Sequence, residues 1–390
     1  MLIKRGLYGA LIGMLLVFAA SAMAGDKPTF DIDWYGYVKL DASYDQNPTS
    51  HGNFAMWVKE SVINDDDAQF NMTHKSTRLG FKASGKNFEQ VTVGGKLEFD
   101  MYGAGGTENK ALLLLRHAYF TVQSGNFKLL AGQSWDLISP LNPSTLNYPV
   151  LWGAGNIQYR RPQVSMFYTV AKTEQTNANL AAGLFRTIGN DLTPTFSLAL
   201  GETADGTDDG TDAAIPSFQG RLDVTHKLTS GGSIRGGFSG LYGQLKSEST
   251  LGNSEKYESW VACGHFMLSF PSGAGFSGEV WSGSNLGSYF GSILNTNRID
   301  GLASNGGWVS AWVKPSKKVK FTTGFSFDDP DDADLSTGNR SRNQAIFGNI
   351  KYSIVPAVTF GVELTQWETE YKDSESAKAL RVETSFIMNF

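Results

Sequence analysis

The feature that most constrains this chain is a strict alternation of apolar and polar residues over unusually long segments. Between Phe30 and Tyr44 every charged residue occupies one set of alternate positions, and the positions between them carry side chains such as Ile32, Trp34 and Val38. Successive side chains of a β-strand point to opposite faces, so this pattern predicts a strand. Strands of soluble proteins average about five or six residues, whereas a strand of about ten residues crosses a bilayer at a tilt.

The same pattern returns in four further segments, and none of their apolar faces carries a charge. These segments are Val91–Met101, Lys318–Phe327, Val358–Thr365 and Leu380–Phe390. In the first of them Lys96, Glu98 and Asp100 follow one another on the polar face. The dry core of a soluble sandwich would not accept three such charges in a row, whereas a water-filled lumen accepts them. We therefore expect an all-β fold, a transmembrane antiparallel β-barrel with lipid outside and water inside.

Short turns and long polar segments alternate between the predicted strands, which is typical of outer-membrane barrels with long outer loops and short periplasmic turns. Segmenting the chain in this way gives sixteen strands, the seventh of them at residues 194–202. The uncertain stretch is Lys172–Thr193. It is interpreted as an enlarged periplasmic turn, and its residues Leu180, Leu184 and Ile188 also fit one face of a helix. Alternatively, Ala181–Ile188 is a strand and the count rises to eighteen.

The N-terminus has the features of a secretory signal peptide. Met1–Arg5 is basic, Leu7–Ala20 is apolar, and Ala22-Met23-Ala24 has the small residues of a cleavage site. We expect a signal peptide over residues 1–24 and a barrel domain over residues 25–390. The alternative is an uncleaved membrane anchor, for which the apolar run is short.

Composition excludes several classes of function. The 33 Lys and Arg residues are outnumbered by 38 Asp and Glu residues and form no block, which argues against nucleic-acid binding. A single cysteine, Cys263, excludes a disulfide scaffold. The five histidines are scattered, so no zinc site is expected. No grouping of serine, histidine and acid is visible, so we expect no catalytic site and no cofactor.

Three acidic clusters lie in predicted outer loops, at Asp65–Asp67, Asp205–Asp212 and Asp328–Asp334. Loops rich in carboxylate oxygens could bind Ca²⁺ or bridge through divalent ions to lipopolysaccharide. The spacing of the second cluster does not match an EF-hand, because Thr207 occupies its third position. We favour solvated loops over a metal site.

Several short motifs resemble bacterial outer-membrane porins, in the general trimeric porin superfamily and most of all its DcaP-like group. They are Ser76–Phe81, Leu115–Tyr119, Leu130–Trp135, Arg161–Gln163 and Ile215–Arg221, together with the terminal aromatic Phe390. The resemblance implies a homotrimeric barrel in the outer membrane, in contact with lipid and lipopolysaccharide. It also implies a channel for passive diffusion of ions and small hydrophilic solutes.

The resemblance further implies that the third long loop, Asp136–Ala154, folds inward and narrows the pore. Three prolines stiffen this loop, and its apolar residues can pin it to the wall. The alternative is an outward loop that packs on a neighbouring protomer. The residues expected to line the constriction are Lys39, Arg78, Lys82, Lys96, Glu98, Asp100, Arg116 and Asp136.

Within this set, Arg78, Lys96 and Arg116 are expected to face the loop and to set up a transverse field. Alternatively, these cations are paired with Glu98 and Asp100 and are neutral in effect. We expect weak charge selectivity. Two other functions stay open: a barrel that sheathes a multi-haem cytochrome, and a barrel enzyme of the outer membrane.

Overall fold

The computed structural model describes residues 29–60, 67–85, 90–107 and 110–390. The expected signal peptide, residues 1–24, lies outside the described residues, as do Asp65 and Asp66 of the first acidic cluster. The strands are β1 Phe30–Asp45, β2 Thr49–His51, β3 Phe54–Val58, β4 Gln69–Thr73, β5 Arg78–Gly85, β6 Val91–Asp100, β7 Leu114–Ser124, β8 Phe127–Trp135, β9 Arg160–Lys172, β10 Thr176–Phe185, β11 Ser217–Lys227, β12 Ser233–Glu248, β13 Ser254–Ser269, β14 Gly275–Ser284, β15 Ala303–Val313, β16 Val319–Pro330, β17 Arg340–Val355, β18 Val358–Tyr371 and β19 Ala377–Asn389.

The long first strand closes the barrel. One edge of β1 pairs with β19, and the other edge pairs with β5 along its first half and with β4 along its second half. Strands β4 and β5 are thus two parts of one wall strand. Each strand from β6 to β19 pairs with the wall strands before and after it, and all pairs are antiparallel. The wall therefore has sixteen strands, as the alternation predicts, and β2–β3 is a separate hairpin.

The alternation places side chains as expected. In β1 the outward Trp34 is 72% exposed, and the inward Asp41 is 5% exposed. Outward positions of the other strands carry large apolar residues such as Phe238, Val280 and Leu364, all exposed. Such a surface suits contact with hydrocarbon. No helix among the described residues is long and apolar enough to cross a membrane.

The seventh wall strand is not the predicted segment 194–202, and this prediction was wrong. Residues Thr195–Leu200 form a short helix, which follows Pro194 and ends at Gly201 with a φ of 76°. The seventh wall strand is β10, which a tight turn joins to β9. Its inward positions hold the small residues Asn179, Ala181 and Gly183, so its alternation is faint in the sequence. The count of sixteen is unchanged because one strand replaces another.

The connections differ in length at the two ends of the barrel. One end, the turn end, has short turns such as residues 125–126 and 356–357. The other, the loop end, has the first loop (residues 46–68), the third loop (136–159), the fourth loop (186–216) and the sixth loop (285–302). The predicted long loop at Lys246–Glu255 is instead a turn of residues 249–253, because β12 and β13 extend beyond their predicted ends.

The apolar core lies inside the barrel, in its loop-end half. Buried residues of the first and third loops, such as Val58 and Leu141, pack there against the wall residues Trp308, Phe347 and Trp367. A second group joins Ile138 and Ile157 to Trp281, Leu286 and Tyr289. A barrel with a water-filled lumen needs no such core, so these loops are held inside by their own apolar residues.

Candidate functional site

The third loop crosses the lumen from one wall to the opposite wall. It leaves β8 and returns to the adjacent β9, but its middle contacts β14 and β18. The backbone N–H of Leu141 donates to Glu279 Oε1 at 2.7 Å. The backbone N–H groups of Leu146 and Asn147 donate to the two carboxylate oxygens of Glu363 at 2.7 and 3.3 Å. The expected inward position of this loop is thus observed.

Asp136 anchors the root of this loop. Its carboxylate pairs with Arg161 at 2.9 Å and accepts from Gln219 Nε2 at 2.7 Å and from the backbone of Tyr159 at 2.8 Å. Gln219 also accepts the backbone N–H of Leu137. Asp136 is buried, so the structure makes it a structural support for the constriction and not part of its water-exposed surface.

The tip of the loop rests on lumen-facing side chains of four strands. Lys39 donates from Nζ to Leu146 O at 2.7 Å and pairs with Asp41 at 3.1 Å. Asn349 donates to Ser144 O, and Lys320 and Lys351 both approach Ser144. Lys39 therefore contacts the loop and helps to hold its tip, and its role in a constriction stays a prediction.

The first loop lies over the third. The side chain of Asn147 bonds the backbone of Ala55 through both its amide nitrogen and its oxygen. Asn343 of β17 donates to Met56 O at 2.7 Å and to Gly153 O at 2.6 Å, which ties both loops to one wall residue. The sequence indicated no inward role for the first loop.

The sixth loop covers the remaining side of the third. The indole of Trp152 stacks on the ring of Phe290 with centroids 4.5 Å apart and planes 7° apart. Phe290 and Ile293 have positive φ values of 64° and 46°, an unfavourable conformation for bulky residues. Tertiary packing of the loops imposes this conformation, since the local sequence would avoid it.

Five of the expected constriction residues come together on the near wall. Arg116 pairs with Glu98 at 2.8 Å and with Asp100 at 2.5 Å. Lys96 and Arg78 also pair with Glu98, at 3.0 and 3.6 Å. A β-bulge between β6 and β7 turns both Arg116 and the adjacent His117 into the lumen. The three cations are thus paired with the two acids, as the alternative describes, and neutrality in effect stays a prediction.

The third loop completes this cluster. The hydroxyl group of Tyr148 donates to Asp100 at 3.0 Å, so the loop contacts the near wall as well as the far wall. Lys82 stands apart: its ammonium group lies 5.4 Å from the centre of the Tyr35 ring.

On the turn-end side of the third loop basic side chains outnumber acidic ones, although Asp31 and Asp33 of β1 also lie on the lumen face, Asp33 opposite Lys82. Lys82, Lys128, Arg221, Lys320 and Lys351 face this part of the lumen, and none of them forms an ion pair with an acid among the described residues. The partly exposed Asp223 is engaged by Arg235 at 2.8 Å and His265 at 3.0 Å. Arg221, Lys320 and Lys351 were not among the predicted site residues, although Lys320 lies on the polar face of a recognised alternating segment.

Comparison with known proteins identifies the fold. No protein-family model matches the chain, and the search of curated proteins finds no match. The solved outer-membrane channel DcaP of Acinetobacter baumannii is 21% identical with a TM-score of 0.72, and the match covers 94% of this chain and 100% of that chain.

Two further solved structures are less similar. The anion-selective porin from Comamonas acidovorans is 12% identical with a TM-score of 0.55, covering 93% of this chain and 100% of that chain. OmpT of Vibrio cholerae in its trimer form is 11% identical with a TM-score of 0.55, with coverage of 93% and 100%. The chain has the fold that these outer-membrane proteins share.

Proposed function

We propose that the protein is an outer-membrane porin, a water-filled channel through which ions and small hydrophilic solutes diffuse passively. The observation that carries this proposal is the third loop, which crosses the lumen and docks on Glu279 and Glu363 of the far wall. A loop tied to both walls narrows a pore to a defined size. The protein then acts through pore size and electrostatic potential, without bond chemistry.

We propose that the channel prefers anions. Glu98, Asp100, Asp136, Glu279 and Glu363 are used in ion pairs and loop anchors. On the turn-end side the five basic residues Lys82, Lys128, Arg221, Lys320 and Lys351 outnumber the three acids Asp31, Asp33 and Asp223. Such a surface raises the local concentration of anions. The structurally similar porin from Comamonas acidovorans is described as anion-selective. This proposal replaces the weak charge selectivity that was expected from the sequence.

The cytochrome sheath is a weaker alternative because three loops of the chain itself occupy the loop-end half of the lumen. Trp152, Phe290 and Trp308 lie where a sheathed protein would have to pass. For the enzyme alternative, the relevant observation is that His265 contacts Asp223, which already pairs with Arg235. A nucleophile beside a general base would be needed instead.

We propose that residues 1–24 are removed on export and that three copies assemble in the outer membrane. The exposed apolar wall would contact lipid, with lipopolysaccharide around the loop end. The trimer form of the structurally similar OmpT supports this stoichiometry.

Single-channel recording tests the proposal. The refolded mature protein is added to a planar bilayer under a salt gradient. We expect open steps in groups of three and a reversal potential of the sign that anion flow produces. A folded barrel that gives no steps contradicts the porin proposal, and a cation-type reversal potential contradicts the anion preference alone.

A further inference from the structure

Two lysines face each other on the turn-end side of the third loop. Lys320 of β16 and Lys351 of β17 are direct partners in the register of the sheet. Their ammonium groups approach the same hydroxyl, Ser144 Oγ, at 3.3 and 3.2 Å. Like charges opposite each other destabilise a sheet, so this arrangement has a cost that the fold alone does not explain.

No acid among the described residues forms an ion pair with either lysine. Glu363 lies on the neighbouring strand, but it accepts N–H groups from Leu146, Asn147 and Asn349. Its oxygens are therefore committed to the loop tip. Glu363 attracts Lys351 without forming an ion pair with it, and no acid in the described part of the chain acts on Lys320, so Lys320 leaves a place for an external anion.

A cavity of about 370 Å³ opens beside this pair, between the loop tip and the turn at residues 270–274. Its lining includes Lys320, Lys314 and the indole of Trp312, and it contains no aspartate or glutamate. The ammonium group of Lys320 lies 5.6 Å from the centre of the Trp312 ring. The volume falls in the range of about 300–1,000 Å³ typical of small-ligand sites.

The rest of the lining is rich in neutral hydrogen-bonding groups. Ser144, Ser269, Ser277 and Ser310 contribute hydroxyls. Asn142 also lines the cavity, and its amide oxygen is held by Gln158 at 2.9 Å. Hydroxyls around an indole face suit a hydroxylated ring, because the ring can stack on the indole while its own hydroxyls are hydrogen-bonded.

We propose that this cavity binds hydroxylated organic anions, of which a sugar phosphate is the representative. The anionic group binds at Lys320, which lines the cavity, with Lys351 beside it on the neighbouring strand, and the ring lies against Trp312. This inference rests on the proposed function and adds a solute class to it. The site lies in the open lumen beside the loop, so bound solute interrupts the ionic current.

The test is current interruption by glucose 6-phosphate in planar bilayers. Glucose, inorganic phosphate and succinate serve as comparison solutes, since each lacks either the charge or the hydroxylated ring. We expect glucose 6-phosphate to bind at least about tenfold more tightly than each of them. Equal binding by glucose overturns the role of the lysines, and equal binding by phosphate or succinate overturns the role of the hydroxylated ring.

Variants locate the site. Lys320→Ala and Trp312→Ala should each weaken binding of glucose 6-phosphate by about tenfold or more. Lys128→Ala removes a lumen cation from another part of the wall, beside Phe167, and should weaken that binding much less than Lys320→Ala does, through the loss of general positive charge alone. A loss with Lys128→Ala equal to that with Lys320→Ala overturns the site. Open single-channel steps from each variant verify that it folds. Wild-type protein that gives open steps without interruption by glucose 6-phosphate overturns this inference but not the porin proposal.

Discussion

The carboxylate of Glu363 accepts the backbone N–H of Leu146 at 2.7 Å, although 217 residues separate the two in the chain. This bond joins the tip of the third loop to the wall opposite its root. Glu363 is buried, and its second oxygen accepts from Asn147. In the proposed channel, the width left by the third loop therefore depends on a carboxylate that does not itself line the open lumen.

Removing this carboxylate should loosen the loop. With Glu363→Ala the two backbone N–H groups lose their acceptor, at a cost of about 1–3 kcal/mol for each buried group. We expect larger and noisier single-channel conductance in a barrel that still folds. Glu368→Gln is the matched control, because Glu368 lies on the same strand and pairs with Lys378 away from the loop. Unchanged conductance in Glu363→Ala would show that other contacts hold the tip.

Arg116 neutralises the near wall. Arg116→Ala leaves Glu98 and Asp100 with less positive charge in a buried setting, so the reversal potential should shift toward cations. Breaking a buried ion pair by removing one partner typically costs about 3–5 kcal/mol, so the temperature of heat-induced unfolding should fall as well. Lys378→Ala removes an exposed cation and should change neither quantity. An unchanged reversal potential in Arg116→Ala would exclude this cluster from the permeation path.

The fourth loop should respond to pH through Asp209. Burial raises the pKa of Asp209 from 3.8 to about 6, although hydrogen bonds from Leu192 N–H and the Tyr257 hydroxyl act in the other direction. The folded loop thus binds a proton more tightly than the unfolded chain. Its stabilisation is complete below about pH 4 and is lost as pH rises through about 6.

Hydrogen exchange measures this effect. After correction for the intrinsic exchange rate, amides of residues 186–216 should be better protected at pH 5 than at pH 7. Asp209→Asn removes the titrating group and should abolish the difference. Better protection at pH 7 than at pH 5 would reverse the predicted sign.

Gly155 allows the third loop to turn back toward β9. Its φ is 107°, and a Cβ atom there would lie 2.2 Å from Gly307 O of the wall. Gly155→Ala should therefore displace the returning limb of the loop and raise conductance noise, with lower heat stability. Gly252→Ala is the control, since its φ is also positive but its Cβ would meet nothing within 4 Å. Equal changes of conductance noise and heat stability in both variants would assign these changes to the positive φ alone and not to the contact with Gly307.

Much of the barrel could be predicted from local sequence. The side of the wall to which Trp34 and Lys39 point follows from alternation, because a strand has a period of two. The predicted number of wall strands is also correct, although one of the sixteen was assigned to residues 194–202 instead of β10. Strand β10 was not assigned as the seventh strand because its inward residues Asn179, Ala181 and Gly183 are too small to mark a polar face. The signal that could have found it is the pair Leu180 and Leu184, which lie four residues apart on the outward face of the strand. The same spacing also fits one face of a helix, an interpretation that the sequence leaves open.

The constriction depended on tertiary structure. The sequence by itself determined that Glu98 and Asp100 share the lumen, since they lie on inward positions of one strand. Arg116 has the parity of the outward Phe120, and the β-bulge between β6 and β7 turned it inward. Only the fold decided that Glu363 holds Leu146, that Asn147 ties the first loop to the third, and that Lys320 and Lys351 converge on Ser144. The physical reason is distance along the chain: hydrogen bonds between residues far apart in sequence form only after sixteen strands close into a barrel, and no local pattern encodes them.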